Sequence, residues 1–394
     1  MHYIRFLKVP RLIRTGKDQR TLVAKVTITT DLGESFLASN VAIEALLEDP
    51  AGVPVPTTRP TRYTWDGKNG MRSLEVSIAL PKRCTGLVKM SVRPVDRKYA
   101  VDTFQDALGT SGHGGIAAVR SIEIAVESNN AAAPLAERRF ITGSGAISIW
   151  EETGESIARH IWDAGLVLSA YISQLSQHLK TPSTIPTSLP RLPELEALLA
   201  KPDLNILELG AGCGIVGLTF AHSLPNISKI TLTDLPEAEE ILSRNINFNL
   251  PPSSSSSKPT LSHQVLNWSS PLPSNISSST WDLILVADCT YNPDVVPDLV
   301  ETLTRVRGGW VGAGRGGLVL LAMKVRHESE LVFFELMGRS GWVVRERCVV
   351  RLLVLGWEEE GDGDGDGDGE EGGQEIEVFV FGSGSGFEDG GEVR

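Results

Sequence analysis

The sequence predicts an α/β protein with a Rossmann-like, seven-strand sheet and helices on both faces, preceded by a β-rich N-terminal domain. Three observations predict it. From Phe140 onward, short apolar runs alternate with segments that carry apolar residues at helical spacing, the pattern of a parallel sheet covered by helices. A glycine-rich turn, ILELGAGCGIVGLTFA at 206–221, joins one such run to one such helix. Before about residue 135 the runs are short, often alternating, and separated by Gly, Pro and Asp, which reads as strands without helices.

In chain order, MHYIRFLKVPRLIRTG reads as a first strand and turn. It has no uninterrupted apolar core or small-residue cleavage site of a signal peptide. TLVAKVTITT, VAIEALLED, SLEVSIALP and LVKMSVRPV are the next strands, expected to form a small β-sandwich-like domain over 1–135. GTSGHGG at 109–115 is expected as loop, and SNNAAAPLAERR after it as a linker to a second domain at 136–394. Residues 157–179 repeat apolar positions at helical spacing. Then come LNILEL (strand), GIVGLTFAHSL (helix), KITLTD (strand), PEAEEILSRNINFN (helix), HQVLNW and WDLILVAD (strands), PDVVPDLVETLTRV (helix), GLVLLAM (strand) and ESELVFFELMGRSG (helix). WVVRERCVVRLLVL and EIEVFVF flank an acidic Gly/Asp insertion at 358–373 and are expected as a hairpin at the sheet edge. SSSSS at 253–257 and SNISSS at 274–279 read as mobile surface loops.

Charge excludes more than it suggests. The net charge is −12, but nine of the acids lie in EEEGDGDGDGDGEE, and the remaining balance is −3. No basic stripe advertises nucleic acid, and no apolar run is long enough to span a bilayer. The four cysteines, Cys84, Cys213, Cys289 and Cys348, form no CxxC pair. That argues against a zinc site and suits a reducing compartment, expected to be the cytoplasm or the nucleus. The Gly/Asp run lacks the spacing and closing Glu of a calcium loop, so no metal is expected.

The glycine-rich turn carries the chemistry. Gly210, Gly212 and Gly214 let the chain turn tightly and approach a ligand closely, and the following helix presents free N–H groups. The turn alone is ambiguous, because Gly212, Gly214 and Gly217 also fit a dinucleotide GxGxxG pattern. Two acids favour an amino-acid nucleoside. Glu208 precedes the glycines, where a carboxylate suits an ammonium and would repel a pyrophosphate. Asp234 ends KITLTD, where a carboxylate accepts ribose hydroxyls.

ELGAGCGIVGL, TDLPEA, LNW and VADCTY together resemble the seven-β-strand (class I), S-adenosylmethionine-dependent protein-lysine methyltransferase family related to the elongation-factor, chaperone and calmodulin lysine methyltransferases. WEETGESIARHIWDAGLVLSAYI is similar to that family's lead-in helix, and LLAMKVRHESELVFFELM to its fifth strand and last helix. The similarity covers about 140–394 and leaves 1–135 without a role. It implies S-adenosyl-L-methionine as cofactor and a protein lysine as acceptor; a small-molecule amine, or an inactive cofactor-binding interaction protein, are the alternatives. By resemblance, Trp162 lines the cofactor pocket, Gly210, Ala211 and Gly212 cradle the cofactor, Asp234 takes the ribose, Trp268 packs on the adenine, and the backbone of Ala287 borders the cofactor. Asp288-Cys289-Thr290-Tyr291 matches the family's DxxY signature. Asp288 is expected to orient a lysine ammonium, and Tyr291 to offer it an aromatic face and a hydroxyl. Capping of the helix near Pro293 is the competing role for Asp288. The resemblance implies no oligomeric state.

Overall fold

The computed structural model describes residues 1–14, 19–109, 113–127, 131–143, 145–154, 157–180, 189–249, 259–313, 316–355 and 374–384. The chain divides into two units, Met1–Trp162 with Arg351–Gln374, and Asp163–Val350 with Glu375–Arg394.

The first unit is built from two sheets. One runs in the order Leu74–Ala79, Arg20–Thr29, His2–Arg14, Ile116–Ala117, Ala100–Val101. The other runs Gly145–Glu152, Leu135–Thr142, Val119–Ser121, Leu87–Pro94, Asn40–Glu48, Thr61–Asp66. Alternating strand residues from both, among them Phe6, Val26, Ile43, Leu47, Met90 and Trp65, form one buried cluster. Two sheets sharing one apolar layer are a β-sandwich, as the alternation predicts. The expected boundary at 135/136 is corrected. Leu135–Thr142 pairs with Val119–Ser121 and with Gly145–Glu152, so the PLAERR half of the expected linker is sheet, and the first unit runs on to Trp162.

The second unit holds seven strands: β1 (Leu204–Leu209), β2 (Ile227–Asp234), β3 (Thr260–Val265), β4 (Leu283–Ala287), β5 (Leu318–Met323), β6 (Trp342–Leu352) and β7 (Gln374–Ser383). Their order is β3-β2-β1-β4-β5-β7-β6. The first five pair in parallel, and β7 runs antiparallel to β5. β7 thus inserts between β5 and β6, which places the two tail strands together at the edge, as expected. The helices are α1 (Asp163–Lys180), α2 (Pro193–Leu199), α3 (Ile215–Ser223), α4 (Glu239–Asn249), α5 (Val296–Ala313) and α6 (Val332–Arg339). Helix α1 starts later than the apolar spacing suggests, because residues 157–159 form a separate 3-10 turn. The chain order reverses at β1, with β2 on one side and β4 on the other. Ligands bind such sheets at this switch point, beyond the carboxyl ends of the strands.

Of the expected mobile loops, SNISSS is corrected. Ser274–Ser277 is a helical turn whose Ile276 is buried and whose Ile276 carbonyl accepts from Trp281 Nε1 at 3.0 Å. The SSSSS run and the acidic insertion lie outside the described residues.

Candidate functional site

The site grows from the end of β1. Leu207 and Leu209 sink into the apolar cluster behind the sheet, and the chain then turns through Gly210, Gly212 and Gly214 at φ +68, +55 and +77. A side chain is strained at each. At Gly210 space forbids one as well, since an added Cβ would overlap the Cys289 sulfur and come within 3.3 Å of the Trp268 ring. Gly210 therefore lets the ends of β1 and β4 and the segment after β3 converge. Ala211 N–H donates to Thr233 O at 2.9 Å, tying the turn to β2.

Asp234 ends β2. Its Oδ2 accepts from Gly212 N–H at 2.6 Å and its Oδ1 from Leu235 N–H at 2.7 Å. Burial raises its pKa above the ordinary value, against those two N–H groups. Each oxygen keeps a second lone pair, so the carboxylate is oriented without being used up. Trp268 lies beside Gly210, and its carbonyl accepts from Thr302 Oγ1 on α5 at 3.1 Å. The ring closes one side of the turn.

Glu208 does something the sequence did not reveal. It is buried, and its Oε2 accepts from Gly217 N–H at 2.8 Å, inside the first turn of α3. Burial pushes its pKa up to about 8, opposed by the Gly217 hydrogen bond. A carboxyl whose folded pKa is raised keeps its proton after the unfolded chain has lost it. Its contribution to stability therefore falls as pH rises from 4.5 to about 8 and is level above that. Glu208→Gln, whose amide oxygen still accepts from Gly217, is expected to flatten that decline, read as melting temperature against pH. An unchanged slope would remove the burial argument.

Asp288 follows the last residue of β4, and its N–H donates to Ala322 O at 2.9 Å on β5. Its φ is +56, one of two positive values outside glycine among the described residues; Asp tolerates the left-handed region better than most side chains. Its carboxylate is held by Arg326 through two parallel contacts, Nη1 to Oδ1 at 2.7 Å and Nη2 to Oδ2 at 2.8 Å. The Asp288 carboxylate thus carries a bound guanidinium that the sequence does not announce. Asn292 closes the turn before α5, its Oδ1 accepting from Asp294 N–H at 3.0 Å. Tyr291 is 49% exposed at the rim. Burial of its other half, then the charges of Cys289, Asp234 and Asp288, raise its pKa, so the hydroxyl keeps its proton. Cys289 is buried with its sulfur 3.2 Å from Ala287 O, and burial pushes the thiol well up. It acts as packing and a weak donor, not as a nucleophile.

The structure brings Glu208, Gly210, Ala211, Gly212, Gly214, Asp234, Trp268, Ala287, Asp288 and Tyr291 to the carboxyl ends of β1, β2, β3 and β4. Trp162 ends the Met1–Trp162 segment of the first unit and is half-buried; chain position alone puts it one residue before α1. Two basic residues after β5 escaped the sequence reading. Besides Arg326, Lys324 Nζ lies 2.8 Å from Asp163 Oδ2 in a buried pair that fastens the start of α1 to the end of β5. The signal was the pair of cations in AMKVRH, directly after an apolar strand. Among the described residues no cluster of His, Cys, Asp and Glu is arranged to hold a metal ion, and no helix is long and apolar enough to cross a membrane.

A family model described as lysine methyltransferase matches residues 142–340. The UPF0665 family protein C23C4.06c of Schizosaccharomyces pombe is 25% identical over 363 residues, 90% of this chain and 98% of that protein. Protein N-lysine methyltransferase METTL21A of Mus musculus is 30% identical over 191 residues, 48% of this chain and 71% of that one. Protein-lysine N-methyltransferase EFM3 of Saccharomyces cerevisiae is 36% identical over 138 residues, 34% and 38% of the two chains.

Proposed function

The chain belongs to the lysine methyltransferase family, and on that footing we propose a division of labour in its cleft: the Gly210–Gly214 turn, Asp234 and Trp268 hold S-adenosyl-L-methionine, while Asp288 and Tyr291 receive the side-chain nitrogen of a protein lysine. The observation that carries the reading is the convergence at Gly210, where an aromatic ring and two strand ends meet a backbone that leaves no room for a side chain. That is a cradle for a flat, hydroxylated ligand, with Asp234's spare lone pairs for ribose hydroxyls and the Trp268 ring for a purine face.

When bound, the cofactor supplies a methyl group already activated by a sulfonium, so the chain needs no nucleophile of its own. What remains for the protein is placement and protonation. The start of α3 offers backbone N–H groups to a carboxylate. Glu208 lies behind the same turn, where an ammonium favours its ionised form. Asp288 and Tyr291 align the acceptor nitrogen. That nitrogen must also lose a proton, because an ammonium has no lone pair to give.

Calorimetric titration of the purified chain is expected to show binding of S-adenosyl-L-methionine and S-adenosylhomocysteine, and none of comparable strength for NAD. Transfer of radiolabelled methyl to protein in a lysate lacking the enzyme is the companion assay. NAD binding with no response to S-adenosylhomocysteine would overturn the cofactor assignment, and label confined to small molecules would overturn the acceptor assignment.

A further inference from the structure

The first unit carries a cleft of about 570 Å³ that the methyl-transfer reading does not use. Its floor follows from strand periodicity. In the antiparallel pair of His2–Arg14 with Arg20–Thr29, Tyr3 faces Thr29 and Arg5 faces Thr27. Ile4, Phe6, Val26 and Ile28 fill the sandwich core, so Tyr3, Arg5, Thr27 and Thr29 project from the opposite face of the sheet. Arg138 and Glu151 close one side as a buried pair, with Nε 2.7 Å from Oε1. Arg138 also donates to the Ala118 carbonyl at 2.7 Å, and its charge is answered by Glu151.

Two other guanidinium groups line the cleft without an ion pair of their own; Arg5 shares the field of Glu151, whose carboxylate is already bound to Arg138. Arg5 donates to the Asp31 carbonyl at 2.9 Å and meets His160 Nδ1 at 3.3 Å, but no carboxylate lies within ion-pair distance of it among the described residues. Its Nε and the hydroxyl of Thr29 are buried and make no hydrogen bond among the described residues. Arg72 stands over the Phe36 ring at 5.6 Å and likewise has no carboxylate partner among the described residues. Glu152, the other acid in the lining, is already paired with Arg159 at 3.5 Å. The cleft therefore keeps an excess of positive charge. Its mouth is apolar, with Leu7 54% and Phe36 37% exposed.

We propose that this cleft docks an acidic peptide segment, Arg5 and Arg72 taking a carboxylate side chain and Leu7 and Phe36 an apolar neighbour. Guanidinium forks match carboxylates in geometry as well as charge. Exposed apolar residues beside unpaired cations suit a peptide that alternates acidic and large apolar side chains, and give a free inorganic anion nothing to bind. The proposal stands independently of the methyl-transfer site.

The test uses the full chain and a fluorescein-labelled peptide, Gly-Leu-Glu-Phe-Glu-Gly, beside its counterpart with both Glu replaced by Gln. Fluorescence anisotropy is expected to give binding about tenfold or more tighter for the Glu peptide, as charge-assisted pairs demand. The double substitution Arg5→Gln with Arg72→Gln is expected to erase that preference. Leu7→Asp changes an exposed side chain, leaves the fold intact, and is expected to weaken the Glu peptide by a similar factor through repulsion. S-adenosylhomocysteine binding, measured on the same samples, should be unchanged and reports a folded second unit, while an unchanged thermal melt of the variants reports a folded first unit; a chain that bound no cofactor but kept the peptide preference would fail the methyl-transfer reading alone. Equal affinity for the two peptides, Glu-peptide binding untouched by Leu7→Asp, or full displacement by inorganic phosphate would overturn the proposal.

Discussion

Asp288→Ala is expected to slow methyl transfer on the order of a hundredfold, the scale on which small errors of placement are felt, while S-adenosylhomocysteine still binds. The cofactor's ribose and purine are assigned to Asp234 and Trp268, and neither touches the Asp288 carboxylate in the structure; its partner is Arg326. Removing that carboxylate frees the Arg326 guanidinium from its fixed place and takes away an acceptor from the lysine side of the cleft. Alanine also suits the φ of +56 poorly, a strain of about 1–2 kcal/mol for an ordinary L-residue. Asp288→Asn is the informative companion, because Asn tolerates that backbone and keeps the shape while losing the charge. Single-turnover rates and calorimetric affinities on Asp288→Ala, Asp288→Asn and Asp234→Ala separate the roles. Asp234→Ala should lose cofactor first, since it also cuts the turn's tie at Gly212. An Asp288→Ala chain that loses cofactor as completely, or that keeps its full rate, would remove Asp288 from the acceptor side.

The parts of this site that were legible in the sequence are local. Gly210, Gly212 and Gly214 announce a turn because only backbone demands put glycines there, and their positive φ values repeat that demand. Asp234 and Asp288 were legible because each ends an apolar strand, and strand ends face the ligand in this architecture. What was not legible is pairing across distance. Nothing in GLVLLAMKVRHE says that Arg326 folds back onto Asp288 or that Lys324 reaches Asp163. Those contacts follow from β4 and β5 being neighbours and from α1 packing nearby, facts of topology. Glu208 illustrates the same limit. Its position was right for a ligand-facing acid, yet an N–H of the next helix claims one of its oxygens. The domain boundary slipped for a related reason: PLAERR is short and charged, so its membership in a sheet shows only through its partners Val119–Ser121 and Gly145–Glu152.

Arg326→Ala is expected to move the pH dependence of transfer upward, by about one unit or more, on the scale by which a neighbouring charge shifts a titration. An Asp288 carboxylate without Arg326 across its oxygens favours the charged form of a lysine more strongly and so delays the loss of the proton that transfer requires. With Arg326 bound across both oxygens, the carboxylate still accepts a hydrogen bond but presents little net charge, and the nearby guanidinium disfavours a second cation. The pair thus leaves the acceptor nitrogen free to become neutral at lower pH. Without Arg326, the peptide's KM should fall or hold, because the ammonium binds better, while kcat near neutrality drops and recovers as the solution is made alkaline. Arg326→Lys, which keeps a charge but loses the fork, should lie between. The variant also takes the Arg326 guanidinium away from a carboxylate with 4% side-chain exposure. A lower melting temperature is expected on that account, since breaking a buried pair costs about 3–5 kcal/mol at its most severe. Stability alone cannot move a pH–rate limb, however, so the profile separates a positioning residue from a structural one. A rate that falls equally at all pH values, with melting temperature falling alongside, would reduce Arg326 to a brace between β4 and β5.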